Sequence, residues 1–284
     1  MNHDLRLKAL VASALYEDVG SSDLTTELTI PRDLKGRAKA VSRAPMAVSG
    51  LEPFREAFLL YDPSLEVSLL VKDGDYIEAK TTMAVISGAA SSILTAERVA
   101  LNFLGRLSGI ATHTWELNKL IAGTKAKLLD TRKTTPGLRF LEKAAVRHGG
   151  GQNHRFGLYD AILIKDNHIQ AVGSLTEAVK RAKEGAPKDI KIGVEVDNLS
   201  QLTEALEAGA VNILLDNIEP LILAQAVSLA RDFSSKHGVK VILETSGGVN
   251  CETILEIAQS GVDLISVGAL THSSPCADVG LDWE

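Results

Sequence analysis

From residue 126 onward the chain repeats one unit: an apolar run of five to seven residues, a charged or glycine residue at its end, then a helix-like stretch. The runs are 126–130, 161–165, 190–196, 211–216, 239–244 and 264–268. Two units match residue for residue in character, Glu207-Ala208-Gly209-Ala210-Val211-Asn212-Ile213-Leu214-Leu215-Asp216 and Gln259-Ser260-Gly261-Val262-Asp263-Leu264-Ile265-Ser266-Val267-Gly268. Each reads as a helix C-cap glycine, a short turn and a strand buried on both faces. Strands that recur about every 20–35 residues with helices between them require βαβ crossovers, so the sheet is parallel and closes or nearly closes. Six such strands, where a full barrel has eight, predict an α/β fold with an irregular, incomplete (β/α) barrel, an open doubly wound sheet being the alternative.

The first third reads differently. Residues 5–16 have the spacing of an amphipathic helix, ended by the polar cluster Gly20-Ser21-Ser22-Asp23. The stretches 37–42, 46–50, 65–71 and 76–86 predict a small antiparallel sheet, with Asp73-Gly74-Asp75 as the hairpin turn between the last two. A long helix is expected from Thr95 as N-cap, carrying Val99, Phe103, Leu107, Ile110, Leu117 and Ile121 on one side. Gly105 and Gly109 interrupt it at about 1 kcal/mol each, a cost tolerated where another backbone packs closely on that face. A domain junction falls within or after this helix, and 284 residues suit two domains.

At 45% hydrophobic and 23% charged residues the chain can bury a full core. Its net charge of −6 gives no overall attraction to nucleic acid or an anionic membrane, so any anion site is local. The two cysteines, Cys251 and Cys276, form neither a disulfide framework nor a metal knuckle and are read as small buried hydrophobes of a reducing compartment. Charge interrupts the apolar residues of segment 5–11, unlike a signal-peptide core, and no apolar run reaches about 18 residues. The expected location is the cytoplasm.

Strand ends carry the chemistry of such folds, because side chains there converge on one face. Here those ends supply Asp130-Thr131-Arg132-Lys133, Lys165-Asp166, Glu195, Asp216-Asn217, Glu244 and Gly268. Segment 130–168 holds seven Lys and Arg against four carboxylates, a local excess of cations in an acidic chain. Arginine forks and lysine point charges together suit a polyanion, and Arg132, Lys133, His154, Arg155 and Lys165 are the candidates. Arg139, Lys143 and Arg147, four apart after Pro136-Gly137, also read as one exposed helix face. Ser246-Gly247-Gly248 and Gly268-Ala269-Leu270 follow the last two strands, where barrels bind phosphate with backbone N–H groups. Glu195 and Asp216, ending neighbouring strands, suggest Mg²⁺ held with substrate oxygens. No Cys/His pattern indicates zinc or iron.

At these residues the sequence resembles the quinolinate phosphoribosyltransferase family. The matching motifs are Glu17-Asp18-Val19-Gly20, Leu129-Asp130-Thr131-Arg132-Lys133-Thr134-Thr135-Pro136-Gly137, Gly149-Gly150-Gly151-Gln152-Asn153-His154-Arg155, Leu163-Ile164-Lys165-Asp166-Asn167-His168, Val194-Glu195-Val196 and Val267-Gly268-Ala269-Leu270-Thr271-His272. They extend over nearly the whole chain in the family's order. The resemblance implies an N-terminal α/β sandwich over 1–112, completed by the tail 273–284, and a barrel over 113–272. It implies transfer of phosphoribose from phosphoribosyl pyrophosphate to quinolinate with Mg²⁺, giving nicotinate mononucleotide, carbon dioxide and pyrophosphate in NAD biosynthesis. A homodimer with a shared active site is implied, and the resemblance leaves a higher assembly open. Carried over by position, Arg132, Lys133, His154, Arg155 and Lys165 resemble the quinolinate pocket, with Arg106 from the neighbouring subunit, and Thr131 is a further substrate-binding position. Glu195 and Asp216 serve the ribose and its metal, and Ser246, Gly247, Gly248, Gly268, Ala269, Leu270 and His272 the phosphate end. Lys133, Lys165, Glu195 and Asp216 are the expected catalytic residues. Thr245 and the tail Cys276-Ala277-Asp278-Val279-Gly280 depart from the family pattern. The rival readings are a paralogue associated with molybdenum transport, from which the intact Lys165-Asp166-Asn167-His168 motif separates this chain, and a non-catalytic phosphate-binding protein on the same fold. Simple anion binding gains nothing from the acidic pair Glu195 and Asp216.

Overall fold

The computed structural model describes residues 3–284 and divides the chain into two compact units. One unit comprises the chain up to Trp115 together with Thr135–Gly150 and Ser274–Glu284; the other comprises Glu116–Thr134 and Gly151–Ser273. The division therefore falls inside the long helix Ala90–Leu120.

In chain order the first unit holds strands β1 (Lys35–Ser42), β2 (Met46–Ala47), β3 (Glu66–Leu69), β4 (Tyr76–Ile77) and β5 (Thr82–Ala89). The second holds β6 (Lys127–Leu129), β7 (Ile162–Ile164), β8 (Ile192–Val196), β9 (Asn212–Asp216), β10 (Ile242–Ser246) and β11 (Leu264–Ser266). The last strand, β12 (Val279–Trp283), returns to the first unit.

The first unit is built on an antiparallel sheet of order β12-β1-β5-β3, with β2 and β4 paired apart from it. Sequence reading joined 65–71 to 76–86 through Asp73-Gly74-Asp75, and here the structure corrects it. The turn is real, since Asp75 N donates to Lys72 O and Gly74 takes a positive φ of 96°. Its exchange of backbone bonds, however, is with Val48, which accepts from Gly74 N and donates to Asp75 O. The stretch 76–86 is also two strands. Lys80, at φ 66°, turns the chain so that β4 pairs β2 while β5 pairs β1 and β3.

The long helix starts five residues before Thr95, directly from β5. Thr95 is thus no N-cap; its hydroxyl lies 2.9 Å from Ser91 O and 3.0 Å from Asp23 Oδ2 inside the first turns. The close approach expected at the helix glycines is made by the C-terminal tail. A Cβ on Gly105 would stand 3.0 Å from Ala277 O, and Ala277 N donates to Gly105 O at 2.9 Å. Both cysteines are exposed, contrary to the expectation of burial, because they sit in the loop after β10 and in this tail rather than in strands or helices.

The second unit is a six-stranded parallel sheet of order β6-β11-β10-β9-β8-β7. Its strands read as apolar runs because their alternate residues, such as Val194, Ile213, Leu243 and Ile265, are all fully or almost fully buried. β6 and β7 do not pair with each other. Residues 151–161 fill the gap instead, with Gln152 bridged to Leu129 and the Arg155 guanidinium donating to Ala161 O just before β7. The chain is thus mixed α/β, with an irregular, incomplete barrel in one unit and a separate antiparallel sheet in the other. Among the described residues no helix is long and apolar enough to cross a membrane.

Candidate active site

Residues paired across parallel strands point to the same face, and residues two apart along a strand share it. The register of β8, β9 and β10 therefore sets Glu195, Leu214 and Glu244 in one row, and that of β9, β10 and β11 sets Asp216, Ser246 and Ser266 in a second row nearer the strand ends. Both rows line a cavity of about 660 Å³ in the second unit, within the size range of about 300–1,000 Å³ usual for small-molecule sites. Thr245, between the rows in sequence, faces away. It is 2% exposed and its hydroxyl donates to Leu215 O, so this departure from the family pattern touches no site residue.

The rows are tied down by hydrogen bonds. Ser246 Oγ donates to Asp216 Oδ1 at 2.5 Å, and Asn217 Nδ2 donates to Asp216 Oδ2 at 2.8 Å. Lys165, at the end of β7, reaches Glu195 Oε2 at 2.6 Å. The Lys165-Asp166-Asn167-His168 motif explains how Lys165 is set. Its own N–H donates to His168 Nδ1, closing the first turn of the helix Asp166–Val172 and leaving the ammonium to project into the cavity.

Opposite the acids stand the cations. The loop after β6 is fixed through its backbone: Lys133 N donates to Thr131 Oγ1 and Lys133 O accepts from Thr271 Oγ1. Gly268 leaves room for this loop, since a Cβ there would stand 3.0 Å from Lys133 Cδ and 3.2 Å from His272 Nε2. On the next segment Asp130, fully buried, accepts from His154 N and Asn153 Nδ2. Burial lowers the Arg155 pKa from its ordinary value, and the neighbouring Arg132 lowers it further.

The acidity of Glu244 on this wall is strongly perturbed. Burial pushes its carboxyl up to about 7; Ser266 Oγ, donating at 2.5 Å, pulls the other way, and Glu195 adds to the rise. In the unfolded chain the same carboxyl titrates near 4.5. The folded protein thus holds the extra proton between those values, so this group favours folding fully below about 4.5 and loses that contribution as pH rises through about 7. Glu244→Gln, which cannot ionise, is expected to be more stable than the unaltered protein at pH 8, by up to about 3 kcal/mol, with the gap closing toward pH 5. Urea unfolding at the two pH values reads this directly; a gap that does not change with pH would contradict it.

Of the residues proposed from sequence, Thr131, Arg132, Lys133, His154, Arg155, Lys165, Glu195, Asp216, Ser246, Gly247, Gly248, Gly268, Ala269 and His272 all line this one cavity. Leu270 does not; its side chain is fully buried. Arg106 belongs to the first unit, where its guanidinium donates twice to the buried Glu142 Oε1 and once to Ser274 O. The cationic stretch 130–168 is itself divided, because Thr135–Gly150 groups with the first unit and takes Arg139, Lys143 and Arg147 with it. These do not form one exposed face, since Lys143 is 1% exposed. Leu163, Leu214 and Ser266 also line the cavity and were not selected from sequence, and Glu244, named there as a strand end, was given no role. For Glu244 and Ser266 a signal existed: Glu244 lies two residues before Ser246 in one strand, and Ser266 two before Gly268.

Among the described residues no group of three His, Cys, Asp or Glu side chains is placed to hold a metal ion. Glu195 and Asp216 offer two carboxylates, which fits Mg²⁺ bound largely through substrate oxygens rather than in an all-protein cage.

The family model described as quinolinate phosphoribosyl transferase, N-terminal domain, matches residues 23–108, and that for the C-terminal domain matches residues 110–282. The chain is 42% identical over 282 residues to a probable nicotinate-nucleotide pyrophosphorylase (carboxylating) of Bacillus subtilis, covering 99% of this chain and 94% of the relative. It is 42% identical over 287 residues to a protein of the same description from Methanocaldococcus jannaschii, covering 99% and 98%. Among solved structures, the nicotinate-nucleotide pyrophosphorylase from Francisella tularensis matches with a TM-score of 0.93 at 40% identity, covering 100% of this chain and 98% of that one.

Proposed function

The chain belongs to the quinolinate phosphoribosyltransferase family, and from that premise we propose that its cavity transfers phosphoribose from phosphoribosyl pyrophosphate to quinolinate with loss of carbon dioxide. The products are nicotinate mononucleotide, pyrophosphate and carbon dioxide, in NAD biosynthesis. The observation that carries the reading is the division of one cavity into a cationic side and a side of acids and glycine turns.

Quinolinate carries two carboxylates next to a ring nitrogen. Arg132, Lys133, His154 and Arg155 supply the opposing charge and hold the ring so that its nitrogen faces the ribose, with Leu163 and Leu214 offering apolar surface to the ring. Glu195 and Asp216 face the sugar, where positive charge develops as pyrophosphate leaves, and carboxylates there stabilise it. Lys165 neutralises Glu195 and keeps its orientation. The backbone at Gly247, Gly248, Gly268 and Ala269, with Ser246 and His272, receives phosphate. Bond formation makes the ring nitrogen cationic, so the adjacent carboxylate departs as carbon dioxide and leaves its electron pair on the ring carbon, which then takes a proton. No covalent enzyme intermediate and no organic cofactor are needed. Glu195 and Asp216, together with substrate oxygens, would hold Mg²⁺, which would supply charge stabilisation for the departing pyrophosphate. Chelation with EDTA is expected to abolish turnover, and added Mg²⁺ to restore it.

The same reading makes the enzyme a cytoplasmic homodimer, with the partner subunit's Arg106 completing each cavity. Arg106→Ala and Lys133→Ala are each expected to be inactive, and refolding them together to recover about a quarter of native activity, because half the dimers then carry one intact site. Recovery absent from mixtures shown to contain hybrid dimers would exclude the shared site. For the function itself, protein, Mg²⁺, phosphoribosyl pyrophosphate and quinolinate are mixed and nicotinate mononucleotide is measured, with nicotinate as a parallel substrate. Product from nicotinate and none from quinolinate would overturn the substrate assignment.

A further inference from the structure

Glu244 is outside the residues assigned to substrates above, yet it lines their cavity with only 14% of its side chain exposed. Its contacts lead to His154. The His154 backbone N–H donates to Asp130 Oδ1 at 2.9 Å, and its Nδ1 accepts from Arg155 N at 2.7 Å. A ring nitrogen that accepts from a backbone N–H carries no proton, so the proton of the neutral imidazole resides on Nε2. That nitrogen lies 3.4 Å from Glu244 Oε1, and the same oxygen accepts from Ser266 Oγ at 2.5 Å. Glu244 is in turn held in β10, between β9 and β11, and Ser266, one row further along β11, reaches back to it. Arg155 N–H thus selects the tautomer, and Glu244 places a carboxylate oxygen 3.4 Å from the nitrogen that carries the proton.

We propose that Glu244 is a positioning residue for the dicarboxylate substrate, acting through His154: the Ser266–Glu244–His154 line holds the imidazole plane so that Nε2–H is presented to an incoming carboxylate. The assignment rests on the phosphoribosyl-transfer reading of this cavity. The 3.4 Å separation is longer than a strong N–H···O bond of about 2.9 Å, so a carboxylate entering the cavity competes for that proton at little cost. Without Glu244 the ring keeps the bond from Arg155 N but loses its acidic neighbour at Nε2, so its plane is less restricted and is ordered further when substrate binds, a cost that falls on quinolinate affinity. The phosphate end of the cavity, formed by the glycine turns, does not share these contacts.

Steady-state kinetics with both substrates varied test this. Glu244→Leu, similar in size and without the acceptor, is expected to raise KM for quinolinate about tenfold while kcat and KM for phosphoribosyl pyrophosphate stay within about twofold. Glu244→Gln keeps an oxygen for both Nε2–H and Ser266 Oγ, and its KM for quinolinate is expected not to exceed about twice the unaltered value. Ser266→Ala removes the second anchor and is expected to raise the same KM about threefold; it carries the test if the leucine variant does not fold. The assignment is overturned by an unchanged KM for quinolinate in the folded leucine and alanine variants, by an equal rise in both substrates' KM, or by a glutamine variant as impaired as the leucine one. Failure of the unaltered enzyme to turn over quinolinate removes the functional reading itself, whereas normal turnover with any of those results removes this assignment alone.

Discussion

Lys133→Ala is expected to lower kcat/KM for quinolinate at least about 100-fold while leaving the melting temperature within about 2 °C. The two halves of this expectation have separate causes. The loop that carries Lys133 is held by its backbone, through Thr131 Oγ1 on one side and Thr271 Oγ1 on the other, and neither bond involves the ammonium. Removing the side chain therefore leaves the loop in place. The ammonium itself is exposed in the cavity, and a dicarboxylate that loses one cationic partner in a partly desolvated site loses about 2–5 kcal/mol. Arg155→Ala is expected to lose comparable activity with a measurable drop in stability, because Arg155 Nη1 also donates to Ala161 O where the barrel is not closed by strand pairing. That bond is worth about 1–2 kcal/mol. Activity assays paired with thermal melts separate the cases, and near-normal turnover in both variants would sink the assignment of the cationic wall.

Gly109→Ala is expected to destabilise the protein by about 2–4 kcal/mol, although alanine is the better helix former by about 1 kcal/mol. A Cβ on Gly109 would stand 1.9 Å from the carbonyl oxygen of Pro275, which is backbone and cannot rotate aside. The tail must move away, and with it goes the bond from Ala277 N to Gly105 O. Gly185→Ala, at the end of the helix Leu175–Gly185 with no atom within 4 Å of its added Cβ, is the control. It is expected to be neutral or to gain up to about 1 kcal/mol. Urea unfolding of both variants checks the sign, and a Gly109→Ala protein as stable as the control would remove the tail from the account of this glycine.

The second unit was legible in sequence because its strands are buried on both faces, so each appears as an apolar run and each ends where polar residues resume. Glu195 and Asp216 could be placed on adjacent strand ends for the same reason. What sequence did not supply is the choice of partner. Asp73-Gly74-Asp75 announces a turn correctly, but nothing local says that Val48 rather than the preceding strand receives its hydrogen bonds. Nor does residue type decide the exposure of Cys251 and Cys276, which is fixed by the course of two loops. Glu244 is an intermediate case. Its place two residues before Ser246 put it on the cavity face by period alone, yet its altered acidity depends on Ser266, Glu195 and burial, which only the assembled sheet brings together.

The pairing of β12 with β1 has a consequence for how the chain is made. Residues 35–42 leave the ribosome more than two hundred residues before 279–283, and throughout that interval one edge of β1 offers unpaired amides and carbonyls to any extended strand nearby. Strands β7 to β10 pair in sequence order and can assemble during the same interval, whereas β6 waits for β11 and the antiparallel sheet gains its edge strand only when 279–283 emerge. A nascent chain arrested before residue 279 would carry a nearly finished parallel sheet together with an open, adhesive antiparallel one. Removal of residues 279–283 is therefore expected to produce aggregation rather than simple loss of activity.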